Sequence, residues 1–342
     1  MGRKMVSLKD ISVACGVSIA TVSKALNDHN DIGQETKIHI RQVAEKMGYF
    51  PNSAALALKT NRTNNLGVLF VDEARSGLTH DFYAHVLDSF KRAAENKGFD
   101  ITFINSNKKR ENWMSYMAHA RYRGFDGVVI ACVNFEDPDV DELIKGNIPV
   151  VTIDHVFNNR IAIVSDNIKG MRDIMEYVYK MGHRKIAYIH GMMSSVTNAR
   201  LSSFYKTAEE LGIHIPEEYV KEAAYRDTDA TYLRTKELLE LKDRPTCILF
   251  PDDFASIGGI NAIREKGMRI PEDISVVGYD GIPIASKLVP RLTTIEQDTE
   301  SLGRLAACKL IDLVTRPKTT LIEQTIVEGK LFIGDSVAKI ES

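Results

Sequence analysis

Three short segments with apolar residues at helical spacing occupy the first fifty residues. Ser7 followed by Asp10 has the spacing of a capping box, which predicts that a helix begins there. Gly16 then allows a tight turn at positive φ, where a Cβ would be penalised. Ser18 is a natural N-cap for a second helix. The apolar residues of that helix recur at i, i+3 and i+4: Val22, Ala25 and Leu26. A third helix is predicted from about residue 34 to residue 48.

Beyond residue 66, short apolar runs alternate with helical patterns in two series. The runs are 66–71, 99–105, 127–132 and 149–153 in the first series, and 185–190, 247–250 and 274–279 in the second. Alternation of this kind predicts parallel α/β sheets, and two series predict two similar lobes with a cleft between them.

The predicted domain limits combine these patterns with the family resemblance that both parts of the chain carry. They are 1–50 for a helical head, 51–65 for a hinge helix and linker, and 66–342 for a two-lobed body, with one lobe at about 66–162 and 294–321 and the other at about 163–291 and 323–340.

Charge is distributed unevenly along a chain of ordinary composition. The 342 residues are 44% hydrophobic and 26% charged, as expected for a globular protein with a substantial core. Residues 1–62 carry a net charge of about +4, which leaves about −6 on the rest. A basic head on an acidic body is consistent with a polyanionic partner for the head.

Two features indicate the compartment. The four cysteines are far apart and form no metal-binding cluster, so free thiols in a reducing environment are expected. The N-terminus has no apolar segment of a signal peptide, and no apolar run is long enough to span a membrane. We therefore expect a cytoplasmic protein without a membrane partner.

The head has the order of a helix-turn-helix, in which the second helix enters the DNA major groove. Short side chains from Ser18 to Ser23 would allow close approach, and Thr21 and Ser23 can donate to phosphate. A generic three-helix bundle would show the same apolar spacing, so the pattern alone leaves both interpretations open.

Two stretches of the head carry a family resemblance. VSLKDISVACGVSIATVSKALN and TKIHIRQVAEKMGYFPNSAALALKTNRTNNLGVLF resemble the N-terminal signature of the lac/galactose repressor family of bacterial transcription regulators. The resemblance implies that Ile19, Ala20 and Lys24 read bases. It also implies phosphate-contacting or positioning roles for five residues: Thr21, Ser23, Asn27, Thr36 and Tyr49. Gly33 departs from the serine that is common at its position.

The chemistry of the predicted base-reading residues suggests what they recognise. Ile19 and Ala20 suit a thymine methyl group, and Lys24 suits guanine O6 and N7. Each contact discriminates by about 1–3 kcal/mol. One head is too small for typical specific affinity, so we expect a homodimer with two heads on a pseudo-palindromic operator, and a tetramer stays open.

The hinge segment is ambiguous without the resemblance. Pro51 stops the preceding helix and Asn52 can cap a new one, but two turns are too few for a stable isolated helix. A flexible tether is the alternative. The resemblance implies a helix that folds against its dimer mate on DNA, with Leu58 wedged into the minor groove and Ala55 beside it. Leu56 departs from the polar or basic residue that is common there.

Polar residues collect where the predicted strands of the body end. Asp154, Asp252 and Asp280 follow three of them, and Arg200 follows the loop GMMSSVTNA. Ligands of parallel sheets sit at the carboxyl ends of strands, where carboxylates and an arginine fork suit vicinal hydroxyls. Taken alone, each acid is better explained as a helix N-cap or a loop residue, and it is their shared position at strand ends that favours a ligand site.

The body also resembles the effector domain of the same family, which is similar to type I periplasmic sugar-binding proteins. The matching stretches are DNIKGMRDIMEYVYKMGHRKIAYIHG, ISVVGYD and PRLTTIEQDTESLGRLA. The resemblance implies eight effector-binding residues: Phe82, Tyr83, Asp154, Arg200, Tyr225, Asp252, Asp280 and Gln297. Asp252 stands where asparagine is common, and THDFY replaces the usual loop near His80.

The expected function is allosteric regulation of transcription. Motifs of nucleotide-binding enzymes, metalloproteases and serine hydrolases are absent from the sequence, so we expect neither an enzyme nor a cofactor or metal. A solute-binding protein would share the body but lack the head. We expect a repressor with a sugar-like effector; an activator and a non-sugar effector stay open.

Overall fold

The computed structural model describes residues 6–50, 57, 62–72, 76–106 and 113–340. The chain divides into two compact units, residues 1–63 and 64–342. The described helices are α1 (Leu8–Cys15), α2 (Ile19–Leu26), α3 (Gln34–Lys46), α4 (Asp81–Glu95), α5 (Tyr116–Arg123), α6 (Pro138–Lys145), α7 (Asn167–Lys180), α8 (Ser195–Glu210), α9 (Thr228–Glu240), α10 (Asp253–Glu265) and α11 (Thr299–Thr315). The strands are β1 (Asn65–Phe70), β2 (Asp100–Phe103), β3 (Gly127–Cys132), β4 (Val150–Ile153), β5 (Ile161–Ser165), β6 (Ile186–His190), β7 (Val220–Glu222), β8 (Cys247–Leu249), β9 (Ser275–Val277), β10 (Thr294–Glu296), β11 (Gln324–Val327) and β12 (Lys330–Phe332).

Local signals in the sequence set the three head helices. The Ser7 hydroxyl accepts a hydrogen bond from the backbone N–H of Asp10, whose carboxylate accepts one from the Ser7 N–H, so the predicted capping box is confirmed. Gly16 ends α1 at a φ of 64°, and the Ser18 hydroxyl caps α2. The apolar faces of the helices meet in one core: Ile11, Val22, Ala25, Ile40 and Ala44.

The first lobe of the body is a parallel sheet covered on both faces. Its strand order is β11-β5-β4-β3-β1-β2. Helices α4 and α11 pack on one face through residues such as Phe90 and Leu310, and α5 and α6 cover the other. Burial on both faces explains why the central strands read as continuous apolar runs.

The second lobe repeats this plan with four parallel strands in the order β7-β6-β8-β9. Helices α7 and α8 pack on one face, and α9 and α10 pack on the other. The antiparallel pair β10 and β12 adds Ile295 to the core under α7 and α8. The prediction of parallel α/β sheets is thus confirmed.

The predicted lobe limits are wrong at three points. All of β5 lies in the first sheet, so the first lobe continues past residue 162. Residues 294–296 pack with the second lobe rather than the first. Strand β11 pairs with β5 and belongs to the first lobe, whereas the sequence predicts that residues 323–340 belong to the second. β11 is an edge strand in which only Val327 is buried. Its sequence therefore lacks the apolar run that marks the other strands.

Among the described residues, every helix is too short or too polar to cross a lipid bilayer.

Candidate DNA-binding surface and ligand cleft

Helix α2 presents its predicted base-reading residues on one outward face. Ile19 is 47% exposed although it is apolar, and Ala20 and Lys24 are exposed beside it. Val22 and Ala25 on the opposite face are fully buried. The spacing of α2 therefore divides it into a face that holds the head together and a face free to meet DNA.

Hydroxyl and amide groups lie at both ends of this helix. The Ser18 hydroxyl accepts from the backbone N–H of Thr21 at 3.0 Å and shares a 2.8 Å hydrogen bond with the Thr21 hydroxyl. The Asn27 side-chain amide donates to the backbone carbonyl of Ser23 at 2.6 Å. These bonds fix the polar side chains predicted to contact or position phosphate.

Asp31, an acid that the sequence pattern does not single out, pairs with Lys24, the lysine predicted to read a base. The Lys24 ammonium forms an ion pair with Asp31, and both side chains are about half exposed. The ammonium lowers the pKa of the Asp31 carboxyl, mainly through this hydrogen bond. If Lys24 reads a base as predicted, it must first separate from Asp31.

A second acid, Asp28, is bound by two cations of α3. Lys37 lies 3.1 Å from it and Arg41 lies 2.9 Å from it. The Lys37 side chain is 3% exposed, so this pair ties the loop after α2 to α3. Asp28 and Asp31 thus face three of the cations of the head, and both acids are already included in its net charge of about +4.

The remaining residues predicted to contact DNA lie outside α2. Thr36 is half-buried in the first turn of α3, and Tyr49 is half-buried against the core of the head. Asn52, Ala55 and Leu58 lie outside the described residues, so their roles in the hinge stay predictions.

In the body, Asp154 lies directly after β4 at a φ of 56°, which turns the chain sharply at the strand end. Its carboxylate accepts a 2.6 Å hydrogen bond from the backbone N–H of Ser165, at the end of the neighbouring β5. Burial raises the pKa of this carboxyl, and the Ser165 hydrogen bonds oppose that effect. The carboxyl ends of two adjacent strands thus hold a buried acid.

Asp280 follows β9 of the second lobe at a φ of 106°. The Gln297 side-chain amide donates to its Oδ1 at 2.7 Å, and Arg200 Nη2 lies 3.8 Å from the same oxygen. Burial raises the pKa of Asp280 to about 7, and Asp252 and Asp154 add to this, although Arg200 and Gln297 lower it. Burial therefore outweighs the ion pair.

Arg200 is held rigidly in the second lobe. Its Nε donates to Asn167 Oδ1 at 2.7 Å, and Nη1 donates to the carbonyl of Pro251 at 3.0 Å. The guanidinium lies 3.5 Å from the centroid of the Tyr279 ring and 5.9 Å from that of Tyr225. With two donor groups satisfied by protein atoms, Nη2 is left to face Asp280.

Aromatic side chains flank this charged centre. The Tyr225 hydroxyl shares a 2.8 Å hydrogen bond with Thr197, which fixes the ring beside Arg200. Tyr83 of α4 is half-buried against the core of the first lobe, and burial, Cys132 and Asp154 raise its pKa. Phe82 is only 5% exposed and belongs to the core of the first lobe, where its ring meets Tyr83 edge-on. Its placement favours a packing role beneath Tyr83.

Two consecutive acids cap and anchor α10. Asp252 Oδ1 accepts from the backbone N–H of Ala255, and Oδ2 accepts from that of Arg226, both at 2.8 Å. Asp253 is fully buried and accepts from the Thr294 hydroxyl and from the backbone N–H of Ile282. Burial raises the pKa of both carboxyls. Helix capping accounts for Oδ1 of Asp252, and a hydrogen bond to the loop at Arg226 accounts for Oδ2.

Three buried polar atoms around this cluster make no hydrogen bond to a described residue. They are the Tyr188 hydroxyl, Gln297 Oε1 and His80 Nδ1. Tyr188 interacts electrostatically with Tyr225 and Arg200, Gln297 is bonded to Asp280, and His80 meets Tyr83 edge-on at 4.9 Å. Burial lowers the pKa of His80 to about 4, so its ring is neutral at pH 7.

Sequence reasoning missed Tyr188, Asn167 and Tyr279, because nothing in their local pattern distinguishes them from core or helix residues. An unpartnered buried hydroxyl marks Tyr188, and contacts with Arg200 mark Asn167 and Tyr279; both signals arise only in the folded chain.

Comparison with known proteins now places the chain. Residues 7–52 match the model "Bacterial regulatory proteins, lacI family", and residues 175–337 match "Periplasmic binding protein-like domain". The chain is 30% identical, over 98% of its length and 99% of the relative's, to the probable HTH-type transcriptional repressor ExuR of Bacillus subtilis (strain 168). The chain belongs to the LacI family. It is also 30% identical to the PurR repressor of Serratia proteamaculans (strain 568), over 98% and 97% of the two chains.

Solved structures of LacI-family proteins share the fold. A lac repressor dimer bound to operator and the anti-inducer ONPF superposes with a TM-score of 0.83 at 23% identity, covering 98% of this chain and 100% of that one. A CelR–cellobiose complex superposes with a TM-score of 0.70 at 23% identity, covering 97% and 99%. The predicted fold and family are confirmed, and the coarse function follows: a DNA-binding transcriptional repressor with an effector-binding domain.

Proposed function

We propose that this repressor changes its affinity for an operator when an uncharged carbohydrate binds in the body. The observation that carries the proposal is that Asp280 and Gln297, at strand ends, meet Arg200 of α8 beside the Tyr225 ring, with Asp154 at a further strand end near enough to raise the pKa of Asp280. Fixed carboxylates and a fixed guanidinium bind vicinal hydroxyls, and an aromatic ring covers the apolar face of a sugar.

The unpaired atoms favour a ligand rich in hydrogen-bond donors. Gln297 Oε1 can only accept, and Asp280 and Asp154 are acceptors when ionised. Arg200 already donates to two protein groups. Hydroxyls complement these acceptors, whereas a carboxylate or phosphate would bring negative charge next to buried acids.

The control mechanism rests on two arrangements of a homodimer. In one, both heads and hinge helices engage the two half-sites of a pseudo-palindrome; in the other, they do not. A ligand shifts this equilibrium only as far as it binds one arrangement more tightly. An inducer prefers the released arrangement and a corepressor prefers the engaged one.

The effector site is tested by ligand binding. Full-length protein is screened by thermal shift against neutral sugars and sugar phosphates, and affinities of hits are measured by titration calorimetry. Asp280→Asn removes the carboxylate with little change of shape and should weaken binding of a neutral sugar at least tenfold. Asp243→Asn, the same change at an exposed position, is the matched control. Unchanged affinity in Asp280→Asn, or stabilisation by sugar phosphates alone, would contradict the proposal.

The DNA surface is tested separately. On duplexes from the promoter of its own gene, Lys24→Ala should relax sequence preference at one position of each half-site, by about 1–3 kcal/mol of discrimination. Leu58→Ala should reduce operator bending. Footprints and bending angles identical to those of the wild type would rule out these assignments.

A further inference from the structure

One arginine of the second lobe reaches across to the first lobe. Arg226 Nε donates to the Ser76 hydroxyl at 3.1 Å, Nη1 lies 3.1 Å from Asp81 Oδ2, and Nη2 donates to the Thr79 carbonyl at 3.5 Å. The Arg226 side chain is 9% exposed and that of Asp81 is 41% exposed. One buried guanidinium therefore engages a carboxylate, a hydroxyl and a carbonyl at the start of α4.

The second lobe holds this arginine by its backbone and by a ring. Arg226 has a φ of 61°, a conformation that non-glycine residues rarely adopt. Its backbone N–H donates to Asp252, which in turn caps α10. Its guanidinium carbon lies 4.2 Å from the centroid of Phe254, a ring that packs against the core of the first lobe. The arginine is thus fixed at its base before it reaches the other lobe.

A second polar contact between the lobes is of a weaker kind. The Ser195 hydroxyl and His155 Nδ1 are 2.9 Å apart, and the His155 ring stacks on Phe135. Burial lowers the pKa of His155, so this is a hydrogen bond between neutral groups at pH 7. Hydrogen bonds between charged groups, as in Arg226–Asp81, are about twice as strong as neutral ones.

We propose that Arg226 is a positioning residue that holds the two lobes closed by its contacts with Asp81, Ser76 and Thr79. Its neighbour in sequence is Tyr225, and Tyr83 lies two residues after Asp81. The contact therefore sets the separation of the two rings that flank the ligand cleft. Its consequence for effector affinity rests on the function proposed above. If only the closed cleft binds the effector, the apparent affinity falls in proportion to the fraction of molecules that are closed.

The separation of the lobes is measured without any ligand. Spin labels carried by a keto amino acid replace Tyr122 on α5 and Leu233 on α9, which are 72% and 59% exposed. Labelled chains are diluted with unlabelled ones, so that distances within one chain dominate. Arg226→Gln and Asp81→Asn should each move the distance distribution to longer values, whereas Arg226→Lys should give an intermediate shift because it keeps the charge and loses the planar fork.

A double variant and a control decide between interpretations. If Asp81→Asn acts through its contact with Arg226, the combined variant should open the lobes no further than Arg226→Gln alone. Asp88→Asn removes a carboxylate from the same helix at an exposed ion pair with Arg92, and should leave the distances unchanged. Asp81→Asn changes a half-exposed side chain, so the test does not depend on folding of the Arg226 variants.

Three outcomes would overturn the proposal: wild-type distances in both single variants, additive shifts in the double variant, or an equal shift in Asp88→Asn. Because no ligand is present, these results are independent of whether the cleft binds a carbohydrate. A failed sugar screen would contradict the proposed function without affecting the role of Arg226. Wild-type distances would contradict the role of Arg226 without affecting the proposed function.

Discussion

At the scale of single residues, burial rather than pairing sets the chemistry of the proposed ligand cleft around Asp280 and Arg200. Asp280 has a cation 3.8 Å away and an amide donor at 2.7 Å, yet its pKa is raised to about 7. The free energy lost by removing the carboxylate from water is larger than the free energy gained from Arg200 and Gln297. Asp280 is therefore partly protonated near neutral pH, where an ordinary aspartate is fully ionised.

This proton predicts a pH dependence of stability. The folded pKa of Asp280 is above its ordinary value of 3.8, so between pH 4 and 7 the folded chain keeps a proton that the unfolded chain has lost. Its contribution to stability is present below about pH 4 and is lost as pH rises through about 7. Asp280→Asn should therefore gain stability relative to wild type as pH rises from 4.5 to 8, measured by urea unfolding.

Asp335 provides a control of opposite sign. Arg291 lowers the pKa of this exposed carboxyl, so its contribution is present above its ordinary pKa and is lost in acid. Asp335→Asn should lose stability relative to wild type at neutral pH and recover it as pH falls. Parallel pH profiles for wild type and Asp280→Asn would show that Asp280 titrates normally.

The Lys24–Asp31 pair makes a second prediction at this scale. Asp31→Asn frees the lysine and removes a negative charge from the side of the head that is predicted to face DNA. Affinity for non-specific duplex DNA should rise several-fold at low salt, measured by fluorescence anisotropy. Glu45→Gln removes an exposed acid from α3 and serves as the comparison; equal gains from both changes would indicate an effect of net charge alone.

At the scale of elements, caps decide where the head helices begin and therefore which face of α2 points outward. The Ser18 hydroxyl satisfies one of the orphan N–H groups at the start of α2, and Gly16 supplies the left-handed turn before it. Neither residue belongs to the buried core, yet both fix the direction of α2. Local chemistry thus positions the residues predicted to read bases.

Loss of this cap should destabilise the head selectively. Ser18→Ala should cost about 1 kcal/mol, seen as faster hydrogen exchange of α2 amides in the full-length protein while exchange in the body is unchanged. Ser23→Ala lies within the same helix, where its hydroxyl does no capping, and should leave exchange unchanged. Equal acceleration by both substitutions would contradict a capping role.

At the scale of the whole molecule, charge separates the two activities. The region 1–62 carries a net charge of about +4, and the rest of the chain carries about −6. Polyanion binding depends on exposed cations that displace counterions, whereas an uncharged ligand meets buried groups that salt screens poorly. The two activities should therefore respond differently to ionic strength.

This difference is measurable on one protein preparation. Affinity for promoter DNA should fall steeply between 50 and 200 mM salt, with a log–log slope of about −0.9 for each phosphate contact. Affinity for a neutral sugar should change less than twofold over the same range. A steep salt dependence of sugar binding would indicate a charged ligand.

Sequence alone determined features whose causes are local. The capping box at Ser7, the turn at Gly16 and the apolar face of α2 involve residues within a few positions of one another, so their pattern is visible without coordinates. Runs of buried strands identified the parallel sheets for the same reason. Strand-end positions, with the family resemblance, brought Asp154, Arg200 and Asp280 into one predicted site.

Tertiary structure decided everything that depends on distant partners. Arg226 meets Asp81 across 145 positions of sequence, and β11 finds its place only by pairing with β5. Asp252 could bind ligand or cap a helix until its two oxygens were seen to be occupied. The physical reason is common to all three: hydrogen bonds and burial between remote segments leave no periodic trace in the chain, and they exist only once the sheets have brought those segments together.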